Sequence, residues 1–186
     1  MMSQWFPISN GISHGIIEYF INKSLNSIIK VTSSGYYYSN RPAQNLLYRE
    51  EGFYTERNSR FGQWILFNFT ENLIDFVGYS ILSGWKTEEP SNWRIEVSTD
   101  GSNWSIADTK SQQVTYNPGK IYSTSTFHKV KLIKFVQTGP NGAGLNFVLI
   151  SAIDFFGNLY LNNAPTTKRM KIQNNFHYII IVLLHS

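Results

Sequence analysis

The stretch SNWRIEVSTDGSNWSIAD, residues 91–108, decides how the rest of the chain is read. Trp93, Ile95 and Val97 alternate with Arg94, Glu96 and Ser98. That is the period of a strand with one buried face. Asp100 and Gly101 tolerate positive φ and predict a two-residue hairpin turn. On such a turn Thr99 faces Ser102 and Val97 faces Trp104. Both Trp93 and Trp104 are then expected on the apolar, core-facing side.

The same pattern extends outward. In GQWILFNF (62–69), Ile65, Phe67 and Phe69 share one face, with Trp64, Leu66 and Asn68 on the other. Further strands are expected at 28–34, 76–82, 92–99, 103–108, 124–128, 129–137 and 146–157, separated by Gly, Pro, Asn and Ser turns. Short strands at even spacing point to an all-β sandwich or barrel. One helix is expected at 14–24, where Ile16, Ile17, Phe20 and Ile21 recur at helical spacing and Ser13 is placed to cap. The chain divides into an N-terminal arm (1–13), a sandwich domain (14–160) and a C-terminal tail (161–186).

Composition narrows the function classes. Of 186 residues, 42% are hydrophobic, enough for a core, and only 15% are charged. The net charge is +4 and no basic run precedes the tail, which argues against nucleic acid as a partner. There is no cysteine, so disulfides and thiolate metal sites are excluded. The N-terminus shows no signal-peptide pattern and no apolar run reaches membrane-spanning length, so a cytoplasmic setting is expected. The tail joins a basic patch to the apolar run 178–184, a segment prone to self-association.

No catalytic constellation is visible. His14, His128, His177 and His185 are scattered without metal-ligand spacing. The Gly-rich run 138–144 lacks the Lys-Ser/Thr of a phosphate loop and reads as turn geometry. Glu50, Glu51, Glu88 and Glu89 read as solvated loop charges. Asn22, Asn68 and Asn103 stand in glycosylation-type triplets by chance in an Asn- and Ser-rich chain. Neither enzyme activity nor a cofactor is expected.

Three motifs in order then carry a resemblance: GQWILFNF (62–69), SNWRIEVSTDGSNW (91–104) and VQTGPNGAGLNFVLISAIDFFG (136–157). Together they resemble the coagulation factor 5/8 type C (discoidin-like) family over roughly residues 15–160. The likeness is strongest to its intracellular, protist and BTB-associated branch. Asn68, Val136 and Asp154 depart from the residues usual there, and the cysteine pair of secreted members is missing. These departures are expected to touch polar contacts more than the core.

The resemblance implies a galactose-binding-like jelly roll of about eight strands, with Trp64, Trp93, Trp104 and Phe155 as structural core. It implies ligand binding by loops at one end, here 35–41, 53–60, 84–92 and 138–146. Those loops hold Tyr36, Tyr37, Tyr38, Phe53, Tyr54 and Trp85 beside Arg41, Arg57, Arg60, Lys86, Asn141 and Asn146. Ring faces for sugar C–H surface and forked donors for hydroxyls suit a glycan, and equally a protein hot spot. Three adjacent tyrosines cannot all point one way, so at least one packs inward. Phospholipid binding ranks below both, self-association through the tail remains open, and no motif supports a structural calcium ion.

Overall fold

The computed structural model describes residues 2–10, 14–23, 28–35, 42–47, 54–57, 62–83, 86–113 and 119–162, with the backbone alone at 54–57. In chain order these form β1 (Met2–Phe6), α1 (Ile16–Asn22), β2 (Lys30–Ser33), β3 (Tyr54–Arg57), β4 (Trp64–Asn68) and β5 (Leu73–Leu82). There follow β6 (Trp93–Ser98), β7 (Ser105–Lys110), β8 (Lys120–Val130), β9 (Leu132–Gln137), β10 (Phe147–Ile150) and β11 (Ala152–Leu161). The strands make a four-stranded sheet, β1-β11-β5-β8, a five-stranded sheet, β2-β4-β9-β6-β7, and a two-stranded ribbon, β10-β3. All pairings are antiparallel. No helix among the described residues is long and apolar enough to cross a membrane.

The all-β sandwich with one short helix stands, with more strands than expected. Residues 2–6 are not a loose arm: β1 pairs with β11 along its whole length. The 53–60 loop contains β3, paired with β10. The run 146–157 breaks at Ser151, because its two halves join different sheets. The chain turns between β8 and β9 around Lys129 (φ 54°), so the strand boundary falls after Val130.

Alternation decides which side chains meet between the sheets. Ile65, Phe67, Phe69, Trp93, Ile95, Phe135 and Phe155 are all buried. Phe155 of β11 meets Phe67 of β4 edge to face, with centroids 5.0 Å apart. Trp93 stacks on Phe135 and sets its edge against Tyr122 of the other sheet. Trp93 is fully buried, and its Nε1 donates to Tyr79 Oη at 2.9 Å. Tyr79 Oη donates in turn to Asp108 Oδ2 at 2.7 Å, and Lys110 pairs with the other Asp108 oxygen at 2.9 Å. The bridge joins β5 of one sheet to β6 and β7 of the other. Burial and the hydrogen bond to Asp108 push the Tyr79 hydroxyl well above its usual range. Burial and the Asp108 charge push Tyr122 up to about 12.

The hairpin corrects the expected register. Asp100 is a hub: its carboxylate accepts from Ser102 N, Asn103 N and Asn103 Nδ2 at 2.7–2.8 Å, which widens the turn. Val97 therefore faces Ser105, not Trp104. One residue of slip turns Trp104 to the outer face, partly exposed. There Lys134 Nζ sits 3.9 Å above its ring while bridging to Glu96 at 2.6 Å. A bulge between Ile95 and Glu96 then places Ile95 opposite Asp108, which brings that carboxylate to Tyr79. Trp64 is also no core residue: it lies opposite Val136 on the outer face, one place out of phase with Ile65 and Phe67.

Asp154, expected to affect polar contacts outside the core, is 1% exposed and caps α1 from β11. Its carboxylate accepts from Gly15 N at 2.9 Å and Ile17 N at 2.7 Å, neutralising the orphan donors of the first turn. The N-cap position is Gly15, not Ser13, which lies outside the described residues. Only glycine fits, since a Cβ there would strike Phe155 O and the Asp154 carboxylate.

Two outcomes are expected. Tyr79→Phe leaves Trp93 Nε1 buried without its acceptor and costs about 1–3 kcal/mol in urea unfolding. A change within about 0.5 kcal/mol would show that the bridge carries no weight. The second concerns Asp75. Burial opposes its ionisation, but hydrogen bonds from Lys129 N, Tyr160 and His128 and the Lys129 charge outweigh that and hold its carboxyl below the usual range. A depressed folded-state pKa stabilises above the unfolded value, about 3.9, and that contribution is lost as pH falls below it. Asp75→Asn should therefore lower Tm at pH 7 and shrink the Tm difference between about pH 7 and pH 3. An unchanged difference contradicts this.

Candidate ligand-binding site at the loop end

Register fixes which segments share an end. Trp93, Gln137 and Trp64 start or finish their strands together: Trp93 faces Gln137, and Trp64 faces Val136. The stretches 34–35, 62–63, 86–92 and 138–146 thus gather at one end of the sandwich. Arg57 faces Phe147, whose carbonyl accepts from Gln137 Nε2, so β3 brings Arg57 to this end by its backbone; Tyr54, facing Ile150, lies further along. The 98–104 turn and the β8–β9 turn lie at the opposite end, where Ser98 faces Leu132.

Two of the loops are stitched together. Thr138 N donates to Asn92 O at 3.0 Å, Asn92 Nδ2 to Pro140 O at 2.6 Å, and Gly142 N to Glu89 O at 3.0 Å. Asn92 Oδ1 also accepts from Gln112 N, tying in the end of β7. Within 138–146, Asn141 does the folding. Its Oδ1 accepts from Ala143 N at 3.1 Å and Leu145 N at 2.9 Å, and its own N–H donates to Leu145 O. The turn chemistry of Pro140, Asn141, Gly142 and Gly144 is what the sequence encodes here. Beneath lies a polar floor: Gln137 N donates to Gln63 O at 2.8 Å, Gly62 N donates to Gln137 O at 3.1 Å, and Gln63 Oε1 accepts from Ser34 Oγ at 2.6 Å.

The residues named from sequence fare differently. Lys86 is exposed on the 86–92 loop. Asn141 is 5% exposed and spends its Oδ1 on its own loop, which makes it a shaper of the loop. Asn146 is partly buried just before β10, and Leu145 is exposed beside it. Tyr36, Tyr37, Tyr38, Arg41, Phe53, Arg60 and Trp85 lie outside the described residues; the segments holding them join described chain at Gly35, Gly62, Ser83 and Lys86. A cleft of about 260 Å³ is lined by Thr32, Ser33, Gly35, Pro42 and Gln44, among others. Glu50 and Glu51 lie outside the described residues. Glu89, expected to be solvated, is 6% exposed, and Asn92 carries cross-loop bonds that no sequence motif announces. The Pro90 that follows Glu89 was the available sign that this loop is folded back and not free.

Among the described residues no group of three His, Cys, Asp or Glu could hold a metal ion. Asp75, Tyr79, Glu96, Asp100 and Tyr122, whose ionisable groups are held away from their usual ranges, lie in the core, on the outer sheet face or at the opposite end.

No protein-family model matches the chain. No curated protein matches it either. Solved structures do. One is CpGH89CBM32-5 from Clostridium perfringens, in complex with GalNAc-β-1,3-galactose: TM-score 0.60, 15% identity, covering 71% of this chain and 97% of that one. Another is the family 32 carbohydrate-binding module of C. perfringens NanJ in complex with galactose, at TM-score 0.57 and 11% identity, covering 73% and 96%. A third is a chitosan-binding module from a Paenibacillus chitosanase/glucanase, at 0.57 and 16%, covering 70% and 96%. At these identities the likeness is one of fold: this chain has the galactose-binding-like β-sandwich.

Proposed function

We propose that the chain is a non-enzymatic glycan-binding module of discoidin-like type, with its ligand at the loop end. The observation that carries this is the convergence of four segments on one end, two of them cross-bonded through Asn92 and the Glu89 carbonyl. A rigid scaffold presenting loops is where binding residues concentrate. Solved modules of the same fold are held with galactose and with GalNAc-β-1,3-galactose, which supports a sugar over other ligands. Trp85 and the Tyr36, Tyr37 and Tyr38 run supply ring faces, while Arg41, Arg57, Arg60 and Lys86 supply donors. The assignment to the factor 5/8 type C family rests on the three motifs.

A glycan array followed by calorimetry tests this. Galactose- or N-acetylgalactosamine-containing sugars should bind, and Trp85→Ala should weaken binding about tenfold or more. Silence across the array, with Trp85→Ala indistinguishable from wild type, would sink the proposal. Asn141→Ala frees two loop N–H groups. It should weaken the same binding and lower Tm by about 2–4 °C for each 1 kcal/mol lost. Unchanged affinity with a lowered Tm would remove the 138–146 loop from the site.

A further inference from the structure

The two sheets have four edge strands, β1 and β8 in one, β2 and β7 in the other. An open edge is a row of unpaired N–H and C=O groups, which proteins guard with charge or with a covering partner. Three of these edges are guarded. β8 carries Lys120, His128 and Lys129, and β7 carries Asp108 and Lys110. β2 carries Lys30, and Gln44 occupies part of its backbone: Val31 N donates to Gln44 Oε1 at 2.9 Å, and Gln44 Nε2 donates to Ile29 O at 3.5 Å. β1, MSQWF, has no charged side chain and no proline. It bonds β11 on one side, and no described strand lies on the other. It also holds two of the large apolar side chains left exposed, Met2 at 62% and Trp5 at 56%. Trp5 lies on one face of the strand, Met2 and Phe6 on the other, so this edge is apolar on both faces.

The chain leaves the sandwich at this same edge. Leu161 faces Met2, so Asn162 departs beside the start of β1. Downstream lies YIIIVLL, residues 178–184, apolar at every position and free of charge, proline and glycine. Such a run has the signature of a segment that pairs as a strand wherever an edge is open to it. We propose that residues 178–184 lie along the free edge of β1 as an added strand of the four-stranded sheet, covering Trp5 and Met2. Apolar side chains at successive positions meet both faces of the edge, which an alternating strand could not do. The connection, residues 163–177, extends up to ~3.3 Å per residue and so can run past β1 in either direction. The tether also favours this occupant over a second copy. It holds the run at roughly millimolar effective concentration, about a thousandfold above a second chain at micromolar concentration. Pairing within one chain removes the open edge and the bare apolar run together.

The test uses the full chain with no sugar present, so it stands or falls apart from glycan binding. The chain has no cysteine, so His185→Cys gives a single attachment point for a nitroxide spin label, just past the run and leaving it intact. In the isotope-labelled chain the nitroxide should broaden the amide signals of β1 and spare the 86–92 loop at the far end of the sandwich. Isotope-labelled chain without nitroxide, mixed with spin-labelled chain, should show no broadening. Hydrogen exchange reads the pairing itself. Amides of β1 that point away from β11 should be protected. Ile181→Pro, which removes a ladder donor, should speed their exchange about tenfold or more and leave the β5–β11 amides unchanged. Three results would overturn the proposal: no broadening at β1, broadening only in the mixed sample, or outward β1 amides that exchange equally fast with and without Ile181→Pro. The second would assign the edge to another copy of the chain.

Discussion

The hydrogen-bonded relay from Trp93 through Tyr79 to Asp108 is the constraint on which the rest of the structure depends. Two sheets with apolar inner faces can slide against each other at small cost, because apolar contact is non-directional. A buried N–H, hydroxyl and carboxylate in series cannot slide without leaving a polar group orphaned. The relay also lies next to the candidate site. Trp93 follows Asn92 directly, and Asn92 ties the 86–92 loop to 138–146 and to the end of β7. The interior contact that sets the two sheets therefore also sets the platform from which the loops project.

Much of this was legible in the sequence, for a physical reason. Alternation is a local property, so Ile65, Phe67, Trp93, Ile95 and Val97 could be assigned to a buried face from spacing alone, and they are buried. Features that depend on an added residue were not legible. The Asp100 hub lengthens the turn and the bulge beside Ile95 adds a second offset; together they turn Trp104 outward and Asp108 inward. Partners far apart in sequence were hidden too. Asp154 caps a helix whose first residue lies 138 positions earlier, with bonds to Gly15 and Ile17 that no periodicity announces.

The candidate site was legible in a different way. Pro140, Asn141, Gly142 and Gly144 announced a structured turn, and the turn is there, with Asn141 as its organiser. Glu89 read as solvated because a charged residue in a loop usually is. Its burial comes from the fold of 86–92 against 138–146, a tertiary event. The aromatic and basic residues of 36–41, 58–61 and 84–85 fall outside the described residues, so the weight of the functional reading rests on the scaffold that surrounds them.

The most direct measurement is a nuclear magnetic resonance titration of the labelled chain with GalNAc-β-1,3-galactose, following backbone amide shifts. Binding at the loop end predicts dose-dependent shifts at 86–92 and 138–146, at the Trp85 indole and in the 36–41 segment. The 98–104 turn and the β8–β9 turn should stay still. Shifts confined to the opposite end, around the cleft lined by Val97, Asn103, Phe127 and His128, would contradict the account, as would no shift at saturating sugar.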